Sequence, residues 1–169
     1  MIVFKKAGKE DLTVIQKIAR ETWPETFKGI IPDAQIAYML DLIYSRDALE
    51  RQIGEKNHIF LLAFQKNIPL GFTSYEINYD GQPVLMVQKI YLLPASQGLG
   101  IGTEFLNLLS EAALKNNNNR LRLKVYFKNS KAIGFYKKYG FKKVSAEKTD
   151  LGNNYSVLDD VMEKQLIDS

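Results

Sequence analysis

Three glycines at alternate positions, Gly98, Gly100 and Gly102, stand between two contrasting segments. The first, Val84–Leu92, has the β-branched and aromatic content of a strand. In the second, Ile101, Phe105, Leu108, Leu109 and Ala112 recur at helical spacing. Without side chains at the glycines, backbone N–H groups can crowd around one point at a helix N-terminus. Orphan donors and the helix dipole both favour an anion there, and the pattern predicts a pyrophosphate. Two familiar phosphate loops do not fit. A P-loop needs Lys followed by Ser or Thr after its last glycine, whereas Thr103-Glu104 comes after Gly102. The dinucleotide fingerprint is out of step by one residue, and its acidic partner would fall in a stretch that has no acid.

Other chemistry is narrowed by what the chain contains. It has no cysteine, which excludes thiolate catalysis, disulfide frameworks and zinc fingers. Its single histidine, His58, precedes an apolar run and reads as a strand-edge residue, so a Ser-His-Asp hydrolase is not expected. The net charge of +4 is unevenly spread. From Ala112 to Ala146 there are ten Lys or Arg residues and no Asp or Glu, leaving 13 basic against 19 acidic residues elsewhere. That asymmetry points to a polyanionic partner near the C-terminal half, either nucleic acid or a small ligand with several phosphates. The glycine loop favours the small ligand.

The elements that must position these groups are legible in order. The 169 residues, 46% of them hydrophobic, suit one domain spanning 1–169. Ile2–Lys6 reads as a strand, and Leu12, Ile15, Ile18, Ala19 and Thr22 or Trp23 as a helix broken by Pro24 and Gly29. A second helix starts after Pro32-Asp33, and a third is capped by Ser45 and stopped at Gly54. Strands are expected at 58–65 and 70–79, with Asp80-Gly81 as a hairpin turn into Val84–Leu92. Residues 121–127 alternate, placing Leu121, Leu123, Val125 and Phe127 on one face. Asn129 or Ser130 caps a helix carrying Ala132, Phe135, Tyr136 and Tyr139 and closed by Gly140. That stripe is readable as core. Strands at 142–150 and 155–164 close the chain through 151–154, and the whole implies an α+β fold, a largely antiparallel sheet covered by helices. No charged-plus-apolar leader and no membrane-length apolar stretch is present, so a cytoplasmic location is expected.

Three blocks then agree in spacing and order. Gln97-Gly98-Leu99-Gly100-Ile101-Gly102 is preceded by Leu92 and Pro94 and followed by Asn129-x-x-Ala132-x-x-Phe135-Tyr136 and Tyr139-Gly140-Phe141. Over Val84 to Val144 the chain resembles the GNAT N-acetyltransferases, whose acetyl-coenzyme A signature is Gln/Arg-x-x-Gly-x-Gly/Ala. Elsewhere the resemblance is looser, through Thr22-Trp23, Tyr38-Met39-Leu40 and the closing strands. The N-terminal half is similar to the bacterial spermidine/spermine acetyltransferase subgroup.

The resemblance implies a mixed, mostly antiparallel sheet flanked by helices, with acyl-CoA bound where two central strands splay. Amides from Gln97 through Gly98, Leu99, Gly100, Ile101 and Gly102 to Thr103 would hold the pyrophosphate. Backbone groups of Ile90 and Leu92 would pair with the pantetheine arm, and the Leu92 amide would polarise the thioester oxygen. Asn129 would bond the arm. Lys128, Lys131, Lys137 and Lys138 are candidates for the adenosine 3′-phosphate, with Lys138 counted among the cofactor-binding residues. Tyr136 would protonate the departing thiolate.

The acceptor side departs from the family pattern. An alkyl amine of pKa ~10.4 must lose a proton before or during attack. Many relatives carry Glu where this chain has Gln88, which can only orient a water. Glu76 and Asp80 are the substitutes, and Tyr75, Tyr79, Trp23, Tyr38 and Tyr44 are candidates to line the acceptor groove; Trp23, Tyr38 and Glu76 are the substrate-binding set. The function implied is acetyl transfer from acetyl-CoA to a primary amine of a small molecule, a polyamine among the candidates, by direct attack in a ternary complex. Without cysteine there is no Cys-linked acetyl intermediate. Acetylation of a protein or peptide amine and a non-catalytic acyl-CoA sensor are the alternatives. No metal, nucleic acid or membrane partner is expected, and the chain is expected to be a monomer or homodimer.

Overall fold

A computed structural model describes residues 1–167. Among these, seven strands are hydrogen-bonded in the order β1-β2-β3-β4-β5-β7-β6, mostly antiparallel, and five α-helices accompany them. The chain divides into two compact units, one of Met1–Glu76 with Gln88–Leu106, the other of Ile77–Val87 with residues from Asn107 onward.

In the first unit, β1 (Ile2–Lys6) and β3 (Ile68–Glu76) flank β2 (Ile59–Gln65), both antiparallel to it. Alternation does the sorting: Phe60 and Leu62 are fully buried on one face of β2. The second half of β4 (Val84–Leu92) also belongs to this unit. Gly71 of β3 lets it approach, because a Cβ there would lie 2.6 Å from the Tyr91 carbonyl oxygen. Helix α1 (Leu12–Thr26) buries Leu12, Ile15, Ile18, Ala19 and Trp23. Pro24 does not break it as expected; the helix runs on to Thr26, and the Phe27 amide still reaches the Trp23 carbonyl at 3.0 Å. An interior proline costs a helix roughly 3 kcal/mol, which the sealed Trp23 and Phe27 side chains offset. Helices α2 (Asp33–Tyr44) and α3 (Arg46–Gly54) meet at Ser45, whose hydroxyl accepts from the Ala48 amide at 3.2 Å as the cap the sequence predicts.

In the second unit, Val84–Val87 of β4 runs parallel to β5 (Arg120–Tyr126) over four residue pairs, ending at Val87↔Leu123. Both strands continue beyond that pair, β4 to Leu92 and β5 to Tyr126. Strand β7 (Tyr155–Gln165) then pairs antiparallel with β5 along its length and with β6 (Lys142–Gly152) on its other side. Asn153 and Asn154, both left-handed, make the β6–β7 turn. Leu121, Leu123 and Val125 are buried on β5 as predicted, but Phe127 lies past the strand end and is 40% exposed.

The connection into β4 is not a two-residue hairpin. Strand β3 ends at Glu76, and the link contains a short 3-10 turn at Tyr79–Gly81 with Asn78 and Asp80 left-handed. It is held by Asn118, which is fully buried. Its Oδ1 accepts from the Asn78 amide at 2.9 Å, and its Nδ2 donates to Asn78 Oδ1 at 2.6 Å and to the Asn116 carbonyl at 3.0 Å. The Asn116–Asn119 run is thus a polar clip as well as a surface loop. Replacing Asn118 by Ala strands these partners in a buried place, so urea unfolding should show a loss of about 2–4 kcal/mol. A loss below about 0.5 kcal/mol would mean that water replaces the clip.

Candidate functional site

The glycine loop belongs to the first unit and is fastened at its start. The Leu93 amide donates to the Leu70 carbonyl at 2.9 Å, and the buried Ser96 hydroxyl lies 2.7 Å from the carbonyls of Leu70 and Leu93. After this pin, Gln97, Gly98, Leu99 and Gly100 are exposed. Gly98 and Gly100 take φ of +85° and +77°, where side chains are strained, and nothing lies within 4 Å of where a Cβ would sit at either. The surrounding space is open and the backbone is its lining. Helix α4 (Ile101–Lys115) begins at once. Its first intrahelical donor is Glu104, to Gly100 at 3.0 Å, so the preceding amides of Ile101, Gly102 and Thr103 are the orphan donors of that terminus. Gly102 differs from Gly98 and Gly100, lying buried in the first turn of the helix. Ile101 and Phe105 anchor the turn on Ala63, with Ile90 and Leu92 of β4 packed against the same cluster. The strand end and the helix start therefore share one apolar seat, and an anion fits the donors it aims outward.

Several sites expected on the acceptor side lie in the same unit. Trp23 is not a groove residue. It is 4% exposed, with ring centroids of Phe27, Tyr44 and Tyr91 at 4.9, 5.8 and 5.7 Å, so it belongs to the core. Tyr44 is sealed as well, and burial raises its hydroxyl well above the usual tyrosine range. Tyr38 of α2 and Tyr75 of β3 remain half-buried. Asp80 is exposed in its turn. Glu76 and Gln88 meet: Gln88 Nε2 donates to Glu76 Oε2 at 3.3 Å.

His58, read from the sequence as a strand-edge residue, is only 9% exposed, and its Nε2 lies 3.8 Å from Glu76 Oε2. Register explains the meeting, since Ile59 pairs with Tyr75 and leaves His58 and Glu76 as neighbours one step on. Beside them Lys89 Nζ donates to Gln52 Oε1 at 2.7 Å and lies 5.3 Å from the Phe60 ring centroid. Burial, then Lys56, draws the Lys89 ammonium down to about 7. Burial, then Lys89 and Lys56, draws His58 down to about 4. Neither Lys89 nor Gln52 carries a sequence signal, because the contact joins residues 37 positions apart.

The second unit holds the remaining candidates. Asn129 caps α5 (Ser130–Tyr139), its Oδ1 accepting from the Ala132 amide at 3.3 Å, and Gly140 closes the helix at φ +119°. The cap occupies the carboxamide oxygen and leaves the Asn129 NH2 group for a ligand. None of the Ala132, Phe135, Tyr136 and Tyr139 stripe is fully buried. Tyr139 is fixed, its hydroxyl donating to Asn107 Oδ1 at 2.7 Å and its ring 4.1 Å from Lys164 Nζ. Tyr136 differs: among the described residues its hydroxyl has no hydrogen-bond partner. The ring lies between Phe135 and Phe141, and burial around the hydroxyl pushes its pKa up to about 12.

The basic stretch is partly neutralised by strands later in the chain. Arg120 and Arg122 share Glu163, Lys124 pairs with Glu147, and Lys143 pairs with Asp160. The polyanion reading therefore contracts to the lysines outside these pairs, among them the exposed Lys137 and Lys138 of α5. Among the described residues, no group of three or more His, Asp or Glu is placed to hold a metal, and no helix is long and apolar enough to cross a membrane.

Comparison with known proteins bears on these arrangements. The model of the Acetyltransferase (GNAT) family matches residues 14–141. A spermidine N(1)-acetyltransferase of Thermoplasma acidophilum is 29% identical over 153 residues, covering 88% of this chain and 93% of that protein. The crystal structure of the PaiA N-acetyltransferase from Thermoplasma acidophilum in complex with coenzyme A superposes with a TM-score of 0.81 at 30% identity, covering 98% of this chain and 99% of that one. A thialysine N-epsilon-acetyltransferase of Mus musculus is 33% identical over 79 residues, covering 45% of this chain and 46% of that protein.

The buried imidazole gives a stability prediction. Folded His58 ionises near 4 and the unfolded side chain near 6.5, so between those values the unfolded chain binds more protons. The contribution is complete above pH 6.5 and is lost as pH falls toward 4, by roughly 3 kcal/mol at most. Urea unfolding from pH 4 to 7 should give a flatter slope for His58→Gln than for the parent chain, and parallel slopes would refute the buried neutral imidazole.

Proposed function

The chain is an acetyl-CoA-dependent N-acetyltransferase of the GNAT family, and from that premise we propose that it acetylates a primary amine of a small molecule, with polyamines the first class to test. The observation that carries the cofactor side is the open backbone cradle at Gly98 and Gly100, directly before the orphan amides of α4. Acetyl-CoA supplies the activated thioester. Amides from Gln97 to Thr103 bind its pyrophosphate, and Lys138 takes the adenosine 3′-phosphate. Ile90 and Leu92 offer backbone groups to the pantetheine arm on a stretch of β4 beyond its last pair with β5. The Leu92 amide then stabilises charge on the thioester oxygen, and the Asn129 NH2 group steadies the arm.

Tyr136 meets the departing sulfur. A hydroxyl with a pKa near 12 is protonated throughout the working range, so it always has a hydrogen bond to donate. It is a weaker acid than a thiol, whose pKa is about 8.5. The Tyr136 proton therefore moves to sulfur as the acylated nitrogen sheds its own, and the hydroxyl ends as it began. Polyamine acetylation draws support from the similarity to the Thermoplasma spermidine enzyme over nearly the whole of both chains. Tyr38 is the residue proposed to line the acceptor side, and Trp23 leaves that set because it is sealed in the core.

Thiol release from acetyl-CoA should be measured against spermidine, spermine, small monoamines, aminoglycosides and short peptides. Turnover with polyamines supports the proposal, whereas turnover confined to peptides makes the chain a protein acetyltransferase. Tyr136→Phe should lower kcat by about 100-fold or more while the acetyl-CoA Kd stays within a few-fold. Equal losses in both would mean that the ring only packs. Gly100→Ala meets no clash, so its effect should be strain of about 1 kcal/mol in the loop. Calorimetry should then show weaker acetyl-CoA binding with kcat preserved at saturation.

A further inference from the structure

Taking the proton from an ammonium group is the one step left without a residue, and three side chains of the first unit converge on an answer. Glu76 ends β3 with its side chain 23% exposed. Its Oε2 accepts from Gln88 Nε2 at 3.3 Å and faces His58 Nε2 at 3.8 Å. No Lys or Arg among the described residues pairs with it. By contrast Asp11, Asp160 and Glu163, each at least as well covered, all hold a cation.

The surrounding positive groups are turned elsewhere or discharged. On β4, Lys89 Nζ is held by Gln52 Oε1 at 2.7 Å, and burial lowers its pKa to about 7. Lys56, just past α3, is exposed. His58 is neutral above about pH 4, and its buried Nδ1 has no hydrogen-bond partner. A neutral imidazole with its proton on Nε2 satisfies both facts, because it turns its N–H toward Glu76, 3.8 Å away and beyond direct hydrogen-bond reach, and leaves only a lone pair buried. Both donors address Oε2, so Oε1 is left for an incoming ligand.

We propose that Glu76 is the proton acceptor of the acetyl transfer, with Gln88 and His58 as positioning residues that hold its carboxylate. This rests on the primary-amine reading above. The acceptor ammonium gives one proton to Glu76, leaving a neutral amine and a carboxylic acid. The amine lone pair forms the C–N bond as the thioester C–S bond breaks. The nitrogen's second proton ends on sulfur through Tyr136, and Glu76 releases the first to solvent. At about 3.3 Å per residue Gln88 lies roughly 13 Å along β4 from Leu92, so the first proton crosses a short file of waters whose first member the Gln88 amide orients.

The test is the pH profile of kcat/KM with the best amine of the panel, beside the acetyl-CoA-induced rise in Tm as a check that each variant folds and binds cofactor. Glu76→Gln should keep the Tm rise and lose about 100-fold in kcat/KM at pH 7.5. That loss should shrink as pH nears the amine pKa of ~10.4, where free amine is abundant. Gln88→Glu, which sets a second carboxylate beside the first, should move the acidic limb upward by about one unit. His58→Ala should lower kcat about tenfold at unchanged KM, while His58→Gln, which restores an N–H donor, should recover most of it. A Glu76→Gln variant within about threefold of the parent, with the same pH profile, overturns the assignment and leaves amine acetylation standing. A parent chain that binds acetyl-CoA and turns over no amine overturns both.

Discussion

Every backbone N–H and C=O taken from water needs a partner, and one strand here leaves part of its ladder open. Strand β4 pairs with β5 for four residues and then continues for five more with no further register to it. Those five residues keep β3 as their strand neighbour, drawn close because Gly71 carries no side chain. The segment is thus a rigid, half-satisfied edge inside a sheet rather than at its border. The next stretch of chain inherits that rigidity through the Ser96 pin, two left-handed glycines and a helix whose first turn shares the apolar seat of Ile90 and Leu92. A flexible loop could present the same amides, but it would lose ordering entropy on binding that this chain has already given up in folding.

Charge is arranged by a second rule, that cations near the sheet are paired with acids or lose their charge. The arginines of β5 are answered by Glu163, and Lys124 and Lys143 by acids on β6 and β7. Around Glu76 in the first unit the opposite course is taken. Lys89 is held by the neutral Gln52 and drawn toward its uncharged form. His58, drawn the same way, faces Glu76, whose carboxylate meets donors but no Lys or Arg among the described residues. Such a carboxylate is poised for a cationic ligand in a way that the paired acids of the second unit are not.

Much of this is legible in the sequence where the physics is local. Gly98 and Gly100, the Ser45 and Asn129 caps and the Gly140 stop are decided by a few backbone angles, and they lie where their residue types predict. Strand register decides the parts that are not legible. The His58–Glu76–Gln88 meeting joins three elements, and nothing about His58 alone foretells it. The ten-residue basic excess reads as a single surface because its acids arrive later in the chain, across strands. Pro24 misleads for a related reason: helix propensity argues for a break, and the buried aromatic packing on either side overrides it. Phe127 is simpler, since the alternation predicts a face only as far as the strand lasts.

The buried indole of Trp23 has a spectroscopic consequence. It is the only tryptophan in the chain, and it sits wholly within the first unit, packed at tilted and edge-on angles among Phe27, Tyr44 and Tyr91. Its emission therefore reports solvent entering that unit and is blind to the other. Far-UV circular dichroism weighs the helices and strands of both. Superimposable fluorescence and dichroism curves in denaturant would mark a chain that melts in one step, and a gap between them would measure how independently its two parts come apart.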